Sequence, residues 1–118
     1  MLHRRPHPAD HEPSFRAIVA AAPPIAALAH ELSDERGELV RAIAIACGDL
    51  AHGFTAPADS AARRAAHHRA WIAVRELDRG LTAVRLHKLA PVRVIDRAQR
   101  AIDRADVMIS ALPGVLPP

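Results

Sequence analysis

Tyrosine is absent from this 118-residue chain, tryptophan occurs once and phenylalanine twice. With β-branched runs also lacking, the sequence is short of the residues that strands draw on, which argues against a sheet. A single cysteine, Cys47, excludes an internal disulfide and suits a reducing compartment. No segment supplies the roughly 18 uninterrupted apolar residues that a membrane span requires. The opening Met1-Leu2-His3-Arg4-Arg5-Pro6 runs into polar, proline-rich sequence and not into the apolar stretch of a secretory signal. A cytoplasmic protein with no membrane partner is expected. Glycine-rich phosphate loops, an HExxH pair and a Ser-His-Asp order are missing too, so neither an enzyme nor a cofactor is expected.

What is present is half apolar, supplied almost wholly by Ala, Leu, Val and Ile. Ala and Leu are strong helix formers, and their small or flexible side chains suit closely packed helices in one domain. Charge is uneven along the chain. Residues 1–59 carry five arginines against eight acids, whereas residues 60–104 carry ten arginines and Lys88 against four acids. Fifteen of the sixteen basic residues are arginine, which favours bidentate contacts to phosphate or carboxylate, although GC-rich coding produces the same bias.

Residues 1–13 read as a flexible tail, because Pro6, Pro8 and Pro13 prevent helix propagation around His3, His7 and His11. The four-residue spacing of those histidines would make a metal stripe only on a helix, and the prolines remove it. Residues 14–112 read as an all-α, antiparallel up-down four-helix bundle, followed by a short tail at 113–118. Ser14 is placed as the cap of a first helix over about 14–32. Its apolar positions Phe15, Ile18, Ala22, Ile25, Leu28 and Leu32 stay in phase through Pro23 and Pro24, giving one kinked helix or two shorter ones. Ser33, Asp34 and Glu35 open a second helix whose inward stripe is Leu39, Ile43, Ala46, Leu50 and Phe54. Val40 and Cys47 lie beside that stripe, Cys47 reading as a small hydrophobe, and Gly53 as a stop.

Asp59 or Ser60 caps a long third helix reaching about His87, with Ala62, Ala66, Ala70, Ala73, Leu77, Leu81 and Val84 inward. Trp71 and Ile72 project off that face, with Ala65 and Leu86 on a similar side. These four are the candidate contacts between copies of a homo-oligomer. After Leu89-Ala90-Pro91 the fourth helix has a 3-4-3-4-3 seam of Ile95, Ala98, Ile102, Ala105, Ile109 and Leu112. Arg93, Arg97, Arg100 and Arg104 follow 4-3-4 spacing on its opposite side. Such a row can track a phosphate backbone; the competing reading is a solvated face partly neutralised by Asp96. His67 and His68 read as surface or capping histidines. Salt pairing of Glu76 with Arg79, or of Arg75 with Asp78, is expected on the third helix.

From about Leu39 to Leu112 the pattern resembles the four-helix-bundle proteins encoded in bacterial 23S ribosomal RNA intervening sequences, and is similar to the accessory proteins of diversity-generating retroelements. Asp49-Leu50-Ala51-His52-Gly53-Phe54 stands where those families have a motif like Asn-Ile-Ala-Glu-Gly-Phe. Ala70-Trp71-Ile72-Ala73-Val74-Arg75-Glu76-Leu77-Asp78 stands where they have Ala-Leu-Gly-Ser-(small)-Arg-Glu-Leu-Glu. Asp49, His52 and Ile72 depart from the respective Asn, Glu and Gly. The resemblance implies a homopentameric bundle and, by the retroelement relatives, binding of RNA or DNA and of a reverse transcriptase. The expected function is a nucleic-acid-binding or ribonucleoprotein adaptor; a structural or protein-interaction oligomer is the alternative.

Overall fold

The computed structural model describes residues 7–32 and 36–115. Among the described residues there are four α-helices and no strand: α1 (Pro13–Glu31), α2 (Arg36–Gly53), α3 (Ala61–Leu86) and α4 (Val92–Ser110). Each helix packs against its neighbours in sequence, α1 closes the ring on α4, and diagonal pairs meet only through the shared core. α2 and α3 run in opposite directions, and so do α3 and α4. Gly53 at the end of α2 abuts Ala66 near the start of α3, while Leu39 near the start of α2 lies against Gly80 far along α3. Likewise Arg85 late in α3 pairs with Asp96 early in α4, and Arg75 pairs with Asp106 further on. The result is a four-helix bundle, the arrangement that amphipathic segments with short connections favour.

The seams bury as their spacing predicts. Leu39, Ile43, Ala46, Leu50 and Phe54 of the α2 stripe are all buried, as are Ile95, Ala98, Ile102, Ala105 and Ile109 of α4, while Leu112, the last expected seam position, lies past the end of α4 and is half-buried. On α3, Ala66, Ala70, Ala73, Leu77, Leu81 and Val84 are buried but Ala62 is exposed, because at the first turn no facing helix covers it. Val74, outside the expected face, is buried instead and widens the apolar arc of α3.

One continuous helix passes through Pro23 and Pro24. Their rings leave the carbonyls of Val19 and Ala20 without intrahelical donors, and both residues are exposed, where water can bond those oxygens. Ile18, Ala21, Ile25 and Leu28 hold the two halves to the same core. The start differs from the expected Ser14 cap. Glu12 is the N-cap without a side-chain bond, Pro13 occupies the first turn, and Ser14 is buried with its hydroxyl unpartnered. The helix opening expected at Ser33, Asp34 and Glu35 lies outside the described residues. Ser60 caps α3, its hydroxyl accepting from the Arg63 N–H at 3.1 Å.

The ends are more structured than a pair of tails. Pro8–His11 forms a 3₁₀ turn. His7 Nδ1 accepts from the Ala9 N–H, Asp10 accepts from the His7 N–H, and Ala9 is fully buried. The expected tail at 1–13 therefore fails over 7–12, because this reciprocal capping box replaces helix propagation. At the other end Gly114, at φ 88°, turns the chain so that Val115 is buried.

Candidate functional site

The two sides of α4 carry opposite tasks. Its apolar seam faces the core, and Arg93, Arg97, Arg100 and Arg104 are all exposed on the other side. None of the four has an ion pair or side-chain hydrogen bond among the described residues. Asp96 does not neutralise them. It accepts from Arg85 of α3 at 2.8 Å, because it lies on the flank turned toward that helix. The other carboxylates of α4 turn the same way: Gln99 donates to Asp103 and to Asp78 of α3, and Asp106 pairs with Arg75 at 3.6 Å. Acids thus line the α3 side of the helix and guanidinium groups the α1 side.

Arg97, Arg100 and Arg104 border a groove of about 270 Å³ between α1 and α4, with Ala17, Ala20, Pro24 and Ala101 as the other lining residues. Small side chains keep it shallow and no carboxylate enters it. From Arg93 to Arg104 the row extends about 16 Å along the helix axis at the usual rise. It is a strip of positive potential over an uncharged floor.

Trp71, Ile72, Ala65 and Leu86 do not form one patch. Trp71 is half-buried at the α4 side of α3, its ring between His68 (5.8 Å) and the Arg75 guanidinium (5.1 Å), with Nε1 buried and unpartnered. Ile72 turns to the α2 side and is 43% exposed, sharing a shallow groove with Ile45, which is 45% exposed. Ala65 is exposed near the start of α3, and Leu86 stands 73% exposed at its far end. Reasoning from sequence missed Ile45, although its position two residues after Ile43 places it off the inward stripe. The expected pairs on α3 do not form: Arg75 turns to Asp106, Asp78 to Gln99, and Glu76 and Arg79 stay without ion pairs among the described residues.

His67, expected as a surface or capping histidine, is only 1% exposed. Its Nδ1 lies 3.1 Å from the Pro113 carbonyl, its ring tilts against Phe54 at 5.2 Å, and Nε2 is buried with no partner. Burial pushes its pKa below the ordinary histidine value; the Pro113 bond opposes this, nearby Arg63 adds to it and Glu12 opposes it. Arg63 fastens the same end of the bundle, donating from Nε and Nη2 to the Gly53 and Phe54 carbonyls at 3.1 Å each. The Cys47 thiol is pushed up by burial, so it holds its proton and acts as a hydrophobe. Among the described residues no three His, Cys, Asp or Glu side chains are grouped to hold a metal ion, and no helix is long and apolar enough to cross a membrane. The chain matches no protein-family model, no curated protein and no solved structure.

Proposed function

We propose that the protein is a non-enzymatic, homo-oligomeric bundle that serves in the cytoplasm as a nucleic-acid-binding or ribonucleoprotein adaptor. The observation that carries this reading is the row Arg93, Arg97, Arg100 and Arg104, exposed and unpaired while every carboxylate of α4 is engaged or turned toward α3. Guanidinium groups left free beside an uncharged groove attract a polyanion, and release of its condensed counterions drives binding. The lining of the groove has no aromatic ring and no amide side chain, so it offers neither a stacking platform nor base-edge readout. Contacts are to the backbone and independent of base sequence. Repetition of the row in an oligomer multiplies a weak contact into a useful one.

The resemblance to intervening-sequence and retroelement accessory proteins supports the same reading, and adds a reverse transcriptase as the protein partner. The alternative, a protein-interaction oligomer whose arginines only keep it soluble, draws on exposed Val40, Ile45 and Ile72. Retention on immobilised RNA and DNA separates the two. Adaptor function requires retention at low salt that fades as salt rises and is lost when Arg93, Arg97, Arg100 and Arg104 are all changed to Glu. Equal indifference of both proteins to nucleic acid removes the adaptor reading.

A further inference from the structure

The side of the bundle opposite the arginine row is formed by α2 and α3, since α1 and α4 close the other side of the ring. Between α2 and α3 runs a groove of about 400 Å³ whose charged lining residues are Glu38, Arg41, Glu76 and Arg79. All four are exposed, and none has an ion pair among the described residues although both signs share the groove. Beyond it, Ile45 and Ile72 form an apolar end. The antiparallel register, fixed by Leu39 against Gly80 and Asp49 against Arg69, sets these residues in levels. Glu38 is level with Arg79, Arg41 with Glu76, and Ile45 with Ile72.

Every level therefore holds a complementary pair, with its two members on different helices. A two-fold axis parallel to the helices brings α2 of one copy against α3 of another at the same level. Glu38 then faces Arg79 of the second copy, Arg41 faces Glu76, and Ile45 meets Ile72, each contact occurring twice. We propose that this face is a self-complementary interface and that its occupant is a second copy of the chain, docked in that two-fold arrangement. The proposal rests on the self-association in the function proposed above and specifies its surface and symmetry. A strip about 27 Å long and two helices wide projects on the order of 500 Å² per copy, at the small end of specific interfaces and in the range of weak, reversible contacts. The dimer turns its two α1/α4 faces outward in opposite directions and leaves both arginine rows free. An isologous contact closes with two copies, whereas the five implied by the resemblance need a head-to-tail contact.

Sedimentation of two charge-reversed proteins tests the arrangement. In one, Glu38→Arg and Glu76→Arg make the face wholly basic; in the other, Arg41→Glu and Arg79→Glu make it wholly acidic. All four positions are exposed, so a far-UV helical signal equal to that of the unmodified protein checks the fold of each. The unmodified protein is expected to sediment as a dimer, each variant alone as a monomer with association weakened at least roughly a hundredfold, and their equimolar mixture as a dimer again. Variants that associate as the unmodified protein does, a mixture that stays monomeric, or a five-copy assembly each overturn the two-fold face while leaving self-association standing. A wild-type monomer overturns both. The row itself is unaltered, so nucleic-acid binding is scored separately.

Discussion

His67 near the start of α3 is bonded through Nδ1 to the carbonyl of Pro113, 46 residues further along the chain, at 3.1 Å. A carbonyl only accepts, so Nδ1 carries the proton and the buried, unpartnered Nε2 carries the lone pair. The ring is neutral. Protonating it would place a second N–H without an acceptor beside Arg63 and Phe54, with Glu12 the carboxylate that partly offsets the charge. Its folded pKa lies below the ordinary 6.5. Between the two values the unfolded chain binds more protons, so this contribution is full above the ordinary value and is lost as pH falls through it toward the folded value. Denaturant unfolding at pH steps from 8 down to 5 is expected to show declining stability. His67→Gln, which can still donate to Pro113 but does not titrate, flattens that decline; an unchanged slope in this variant contradicts the assignment.

Two glycines of α2 separate helix propensity from packing. Gly48 has open space where a methyl group would project, whereas a methyl on Gly53 would come within 2.9 Å of Ala66 Cβ. Gly48→Ala is expected to raise stability by about 0.5–1 kcal/mol. Gly53→Ala is expected to lower it by about 1–3 kcal/mol by forcing α3 away. Thermal unfolding of the two variants reads the opposite signs, and a gain from Gly53→Ala would show that the helices part freely.

Arg63 is a fork over the C-terminus of α2, with its guanidinium also 5.2 Å from the Phe54 ring centroid. Arg63→Met removes the donors to two end carbonyls and is expected to cost about 1.5–3 kcal/mol in denaturant unfolding. Arg63→Lys keeps the charge but not the fork, and restores less than half of that loss. Full rescue by lysine would mean that charge alone suffices.

Periodicity made the bundle legible. Leu39 to Phe54 and Ile95 to Ile109 repeat at helical spacing, and a seam so regular leaves Arg93, Arg97, Arg100 and Arg104 only the outward side. What sequence spacing did not reveal depends on contacts between distant segments. His67 is buried because Pro113 and Phe54 meet over it, and Asp96 turns from its own helix to Arg85 of α3. Gly53 read as a stop and is the last residue of α2, but it takes no positive φ there, and the close approach of Ala66 gives the reason for glycine. The α1 side of the arginine groove was invisible for a similar reason. Ala17, Ala20 and Pro24 carry no chemical signal until the ring of helices sets them beside α4.

The salt dependence of nucleic-acid affinity bears most directly on the arginine row. Fluorescence anisotropy with a labelled duplex over a range of sodium chloride gives the slope of log affinity against log salt. Guanidinium groups that each neutralise a phosphate predict a linear fall whose slope shrinks by about 0.9 for every one of Arg93, Arg97, Arg100 and Arg104 replaced by Gln. A slope that is the same in the wild type and the four-Gln variant, or no binding at the lowest salt, would contradict it.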